Sequence, residues 1–357
     1  VNHDSSKGMG VLKRIFHHQY IWGVVAILLL LFINMIKDPS YLSITVNETN
    51  GNLVGNLIDI LRAAAPVMMI AVGMCLVIAT SGIDLSVGSL MVVAGAVSME
   101  FLKGASDNLG AALAALGLAL AIAAVLGAVN GLLVSVVGLQ PFISTLVMML
   151  AGRGIAKVIT GGQNTASTNG SFRWIANGYV VGLPVVFLIA LLVVIAVGLL
   201  VRRSALGLMI EAIGMDPKAA RLAGVNRRGL QVLVYTLSGL LAGIAGVFAT
   251  ASVMTVDVSR TGDQMEMDAI LAVVIGGTSL AGGKFNITGA FVGSLLIATL
   301  DKTVVFLGVS SSATPAFKAL VIVVLCLLQS DRIRSLFKGR SPAAAAPSVE
   351  EKEVVAA

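Results

Sequence analysis

Ten apolar runs take up most of this chain and leave almost no polar stretch in which a soluble domain could form. They cover residues 20–36, 57–80, 86–103, 111–137, 142–160, 179–201, 230–254, 267–281, 286–308 and 314–330. A bilayer core about 30 Å thick takes about 20 apolar residues per helix, and most of these runs meet that length. The expected fold is therefore an all-α integral membrane protein, a polytopic bundle of about ten transmembrane helices. Runs 86–103 and 267–281 are the least regular, because Gly and polar residues interrupt their edges. Either is a candidate for a re-entrant or broken helix, a form tolerated at membrane depth only where protein or a cavity covers it.

Composition agrees. Of 357 residues, 57% are hydrophobic and 12% charged, against about 25% charged in soluble domains. The net charge of +6 reads as topological. Nucleic-acid binding would need a basic face with base-reading partners, and none is evident. Thirty-nine Gly suit close helix approach in lipid. Cys75 and Cys326 lie in separate apolar runs and read as small buried hydrophobes. His3, His17 and His18 all precede the first run, which argues against a His-based metal or catalytic site, so no metal is expected.

Charge distribution supplies an orientation. With ten spans and an inner N-terminus, Lys7, Lys13, Arg14, Lys284, Arg332, Arg334, Lys338 and Arg340 fall on the inner side. So do the six cations of one island, Arg202, Arg203, Lys218, Arg221, Arg227 and Arg228. The expected outer loops are poor in cations and locally acidic, with Asp257, Asp263, Glu266 and Asp268 around Arg260. That asymmetry follows the positive-inside rule. The organisation expected is a cytoplasmic segment 1–19, a membrane domain 20–330 with a cytoplasmic loop 202–229, and a cytoplasmic, partly disordered tail 331–357. Lys13 and Arg14 ahead of Ile21–Ile33 look like a signal sequence. No small-x-small cleavage site follows, so an uncleaved anchor is expected.

The basic island contains a short helix with readable ends. Asp216 is suited to the N-cap, Pro217 to the first helical position, and Gly224 to a left-handed C-terminus. A helix of about seven residues is marginal alone, so it needs a partner surface, and Ala219, Ala220 and Ala223 would fit a shallow cleft. The competing reading is a connector lying on lipid headgroups.

Other polar residues interrupt the apolar runs. In Ser81–Gly88, Asp84 or Ser86 could cap the third span, Gly82 and Gly88 permit a tight turn, and the segment could line a gate. Asn130 sits inside an apolar run, where its amide must find a partner, either a conduit or a neighbouring helix. Pro141 can open a span. Arg153 and Lys157 read as snorkelling cations. Asp301 and Lys302, being adjacent, point apart, and each is expected to pair with another helix. An apolar–Gly/Ser/Thr–apolar layout at 77–89 returns at 274–293. It suggests two related halves, a common transporter plan, with chance similarity among Gly-rich spans as the rival.

These motifs, in this order, carry a resemblance. Ala79–Ser89, Asn130-Gly131 with Gln140–Leu146, Gly152-Arg153-Gly154, Glu211–Gly214 with Ala219–Val225, and Ile275–Gly283 together resemble the permease subunits of ATP-binding-cassette importers for simple sugars. The branch is that of ribose, galactose and xylose, and the chain is most similar to its galactofuranose and fructose types, over roughly 56–329. The resemblance implies a type II importer-like fold and a non-enzymatic transport subunit in a bacterial inner membrane. It also implies both termini in the cytoplasm, and a second permease, identical or paralogous, as partner. Cytoplasmic ATPase subunits and an extracytoplasmic sugar-binding protein complete the assembly. No cofactor is expected on this chain, since ATP would be used by the ATPase.

The resemblance also assigns ATPase coupling to Glu211, Ala212, Gly214, Asp216, Ala219, Ala220 and Gly224. Candidate pathway or gate residues are Asp84, Ser86, Asn130, Ser144, Thr145, Thr278 and Ser279. Met215-Asp216-Pro217 departs from relatives in which no proline is required. Permeases for nucleosides or branched amino acids are close alternatives. An ion-coupled secondary transporter is a more distant one, which would want paired intramembrane acids.

Overall fold

The computed structural model describes residues 20–47, 51–310 and 312–329. The expectations for segments 1–19 and 331–357, and for the Cys326 side chain, lie outside the described residues. Each of the ten runs contains a helix, but among the described residues only seven helices are both long and apolar enough to cross a membrane. In chain order these are α1 (Tyr20–Lys37), α2 (Asn56–Ala79), α4 (Leu109–Leu132, continued by a π-turn at Leu133–Val137), α5 (Pro141–Ile159), α7 (Val185–Arg203), α10 (Arg227–Val253) and α12 (Ile287–Phe306). The other membrane elements are α3 (Val87–Lys103), α11 (Met265–Ile275) and α13 (Thr314–Gln329).

The two runs flagged as irregular both fall short, and so does run 314–330, which was not flagged. At 1.5 Å per residue, α11 rises only about 16 Å, roughly half of a hydrocarbon core. The chain between α10 and α11 makes up the difference. Val256 is buried, and Gly262 lies against Gly88 at the start of α3. An irregular segment thus runs inward beside helices before the half-helix begins. The α2–α3 connection does the converse, since Asp84 is fully buried and bonded to Ser238 in the middle of α10. Two broken elements therefore face each other, with protein covering their unpaired backbone, as lipid requires.

Three short helices lie outside the spans: α6 (Gly170–Asn177), α8 (Ala205–Met215) and α9 (Pro217–Leu222). The amphipathic α6 was not foreseen. The run at 179–201 begins instead as a two-residue hairpin, β4 (Tyr179–Val180) against β5 (Leu183–Pro184), which delays the helix to Val185. Two more antiparallel pairs occur at the same end of the bundle. One joins β1 (Thr45–Val46) to β2 (Leu53–Val54). The other joins β3 (Thr165–Ala166) to β6 (Thr255–Val256) and ties the α5–α6 loop to the inward-running segment.

The core explains the order. Helix α2 is apolar all round and buried from Val67 to Ala79, so it occupies the centre rather than the rim. Around it pack α10, α12, α11 and α7, while α3 is enclosed by α4, α5 and α10. Contact between α4 and α10 is made by two glycine pairs at four-residue spacing, Gly127/Gly131 and Gly239/Gly243, which bring the backbones together. Helix α1 lies along α12, where the Asn34 side-chain amide donates to Thr303 Oγ1 at 2.8 Å.

Candidate functional site

The basic island folds as two helices rather than one. Ser204 Oγ caps α8 by accepting from the Leu206 amide at 3.3 Å. Asp216 Oδ1 then accepts from the amides of Lys218 (2.8 Å) and Ala219 (3.1 Å), Pro217 opens α9, and Gly224 turns left-handed at φ 82°. Six residues would not hold a helix alone, and Ala220, at 4% exposed, seats α9 on the bundle. Ala219 and Ala223 face outward instead. Leu222 is 90% exposed and Met215 72%, so the island presents large apolar side chains amid its cations.

Where α8 meets the bundle, three segments converge. A methyl group added to Gly214 would overlap the Ala79 carbonyl oxygen and the Gly283 amide nitrogen. Those two atoms are bonded to each other at 3.0 Å. Ser81 Oγ lies 3.0 Å from the Gly214 carbonyl oxygen and 3.1 Å from that of Ala281, within donating reach of both. The end of α2, the α11–α12 loop and the end of α8 thus share one junction. The two similarly laid-out motifs, around Ser81 and around Gly282, are in contact there. Ser81, not a glycine, takes the left-handed backbone at φ 62°. Gly82 and Gly88 serve close approach rather than a turn. An added methyl at Gly82 would sit 2.7 Å from the Tyr235 hydroxyl, and one at Gly88 would overlap the Gly262 carbonyl oxygen.

Above the junction lies a buried polar hub. Asp84 Oδ1 accepts from Ser86 N (3.0 Å) and Ser86 Oγ (2.6 Å), and Asp84 Oδ2 accepts from Ser238 Oγ (2.8 Å). Asn130 donates to Ser86 Oγ at 2.8 Å. All four residues are fully buried. Asp84 therefore does not cap α3; it gathers donors from its own loop and from α10, with Asn130 of α4 joining through Ser86. Thr145 reaches the same loop, with Oγ1 3.2 Å from the Ile83 carbonyl oxygen, while the neighbouring Ser144 hydroxyl is buried without a partner among the described residues. The hydroxyl of Tyr235 and Oδ1 of Asn130 are likewise unpaired. Asp84, Ser86, Asn130, Ser144 and Thr145 thus cluster, and Ser238 and Tyr235 join them unforeseen. A serine inside the apolar run 230–254 was the available signal for Ser238.

Thr278 and Ser279 belong elsewhere. Thr278 Oγ1 accepts from the Asn286 amide at 3.1 Å and lies 3.4 Å from Cys75 Sγ, so it ties the α11–α12 loop to α2. Ser279 is exposed at the edge of that loop. Glu211 and Ala212 stand half-buried on α8, and Glu211 lines a cleft of about 580 Å³ with Arg202, Gly277 and Lys284.

Several ionisable groups in the bundle form ion pairs. Lys318 lies 3.0 Å from Asp268 and 2.8 Å from Asp301, joining α13 to α11 and α12, and Lys302 lies 2.8 Å from Asp59 of α2. Asp301 and Lys302 thus do pair with different helices. Arg153 departs from the expectation of snorkelling. Its Nη1 donates to the Thr261 carbonyl oxygen at 2.8 Å, with Asp263 3.9 Å away, so it holds the inward-running segment.

A half-helix, a capped basic island and a buried hub above a three-way junction describe a permease. Residues 56–328 match the family described as the permease component of a branched-chain amino acid transport system, and the chain belongs to that family. It is a multi-pass membrane protein. Three of its relatives are sugar permeases. A fructose import permease of Bifidobacterium longum is 50% identical over 93% of both chains. A galactofuranose transporter permease of Escherichia coli is 41% identical over 88% of this chain and 91% of its own. A ribose import permease of the same species is 39% identical over 87% and 93%. No solved structure matches the chain.

Proposed function

We propose that this protein is the membrane-spanning permease of an ATP-driven monosaccharide importer, with the basic face in the cytoplasm. The three sugar permeases named above, each covering most of the chain, support the substrate class. The observation that carries the mechanism is the junction at Gly214. Cytoplasmic ATPase subunits would grip α9 through Leu222 and Met215, and their closure would displace α8 and α9 together. Because Gly214 is wedged against Ala79 and Gly283 without room for a methyl group, α8 cannot move without carrying the end of α2 and the α11–α12 loop. Packed backbone transmits displacement, since overlap there cannot be relieved by a rotamer change. Three residues beyond Ser81, the Asp84 hub takes up the motion and passes it to α10 and α4.

On this reading the chain makes and breaks no covalent bond. A second permease, an identical copy or a paralogue, would complete the path. An extracytoplasmic binding protein would deliver the sugar and supply most of the binding energy. Both termini would lie in the cytoplasm. Reconstitution with the cognate ATPase and binding protein tests this: labelled monosaccharide should accumulate in proteoliposomes only with ATP, and vanadate should stop it. Accumulation driven by an ion gradient alone would sink the proposal. The matched family's description names branched-chain amino acids, which is the second reading. Leucine displacing the sugar in the same assay would favour it.

A further inference from the structure

On the basic face, a cleft of about 770 Å³ opens between α9, the start of α10 and the α4–α5 hairpin. Lys218, Arg221, Arg227 and Arg228 line it, and no acidic residue does. Among the described residues none of these cations has an ion-pair partner. One buried polar group at its wall is also unsatisfied: among the described residues Ser135 Oγ has no hydrogen bond, and Gln231 lines the cleft beside it. Four unpaired cations around one cavity, with a buried hydroxyl left unsatisfied at its wall, make a site for an anion, because buried polar groups are ordinarily paired.

The cleft adjoins the surface proposed to meet the ATPase without coinciding with it. At 100° per residue, Pro217 and Arg221 lie on one face of α9 and Ala219 and Leu222 on another, with Lys218 between them. Its rim says what the anion is attached to. Leu139 lines the cleft and is exposed, and Val136, Val137 and Phe142, next in sequence to lining residues, are each more than half exposed at the ends of α4 and α5, which offers acyl chains an apolar surface on that hairpin. We propose that the cleft holds the phosphate headgroup of an anionic phospholipid of the cytoplasmic leaflet, with its tails along α4 and α5. Basic pockets between helices on that side are suited to such headgroups. A lipid held there would brace α9 against the α4–α5 hairpin. This rests on the orientation proposed above but not on what is transported.

The test is lipid binding by the purified full-length protein in detergent, read as mass adducts by native mass spectrometry. Phosphatidylglycerol should bind saturably and outcompete phosphatidylcholine. Arg221→Gln/Arg228→Gln should weaken the adduct about tenfold or more, and Lys218→Gln, a single charge removed, by a few-fold. Arg203→Gln, outside the cleft, should leave it unchanged. Equal binding of phosphatidylcholine, or undiminished phosphatidylglycerol binding by the double and single cleft variants, overturns the proposal. Displacement of the lipid by millimolar inorganic phosphate would overturn it in favour of a soluble phosphate ligand. Because no transport is measured, failure here leaves the proposed function standing.

Discussion

Ser81 stands with its hydroxyl 3.0 Å from the carbonyl oxygen of Gly214, bridging 133 residues of sequence. One partner ends the central helix and the other ends the helix leading to α9. If the proposed lever works, force crosses here. Removing the hydroxyl with Ser81→Ala forfeits contacts worth about 0.5–1.5 kcal/mol. The expected result is several-fold lower ATP-coupled uptake with normal membrane insertion. Ser81→Val should do worse, since a β-branched residue tolerates φ 62° poorly. Equal uptake by both variants and the parent would remove Ser81 from the mechanism.

Gly214 tests the same contact by addition. Any side chain there meets backbone atoms of Ala79 and Gly283, which cannot swing aside. Overpacking of this kind costs about 1–3 kcal/mol, and the junction must open to absorb it. Gly214→Val should reduce uptake at least tenfold while the protein still reaches the membrane. ATP hydrolysis in the reconstituted complex should continue without transport. Full uptake by this variant would mean that α8 does not drive α2.

How much of this was written in the sequence depends on the range of the forces involved. Asp216, Pro217 and Gly224 could be read directly, because capping and backbone handedness involve only near neighbours. The shortness of α11 showed as glycines and polar residues at the edges of its run. Gly82 and Gly88 looked like turn residues, yet what they avoid is Tyr235 and Gly262, far along the chain. Arg153 looked free to reach the surface, and only the fold brings Thr261 to it. Asp84, Ser86 and Asn130 could be picked out as polar residues in apolar surroundings. Their convergence, and the arrival of Ser238, needed the helix packing.

The hub makes a stability prediction. Asp84→Ala leaves the hydroxyls of Ser86 and Ser238 without their acceptor in a fully buried place. Unsatisfied buried donors cost about 1–3 kcal/mol each. The detergent-solubilised variant should unfold several degrees below the parent. Ser238→Ala removes one donor and leaves Asp84 with two, so its shift should be smaller. A reversed order of unfolding temperatures would show that the carboxylate is not the organiser.

Lys318 makes another. It sits between two carboxylates, with side-chain exposures of 16% for Lys318, 14% for Asp268 and 40% for Asp301. Lys318→Met would strand both acids, and breaking a buried ion pair from one side costs about 3–5 kcal/mol. The figure here should fall toward the lower end, since Asp301 is partly hydrated. Adding Asp268→Asn and Asp301→Asn to Lys318→Met should recover most of the loss. Thermal unfolding of the single and triple variants decides it: a triple variant no more stable than the single one would mean the lysine acts through packing alone.

The last prediction concerns Leu222, which no bundle residue covers. A leucine 90% exposed on the basic face is costly to leave in water, about 1.5–3 kcal/mol relative to burial. An ATPase docked on α9 would bury it. Leu222→Asp places a charge in that contact without touching Ala220, which seats the helix. The permease should insert and fold with an unchanged unfolding temperature, while co-purification of the ATPase subunits falls at least tenfold. Ala219→Trp, one turn back on the same face, should act likewise by bulk. If the ATPase still co-purifies with both variants, α9 is not the grip, and the junction at Gly214 would have to be driven from elsewhere.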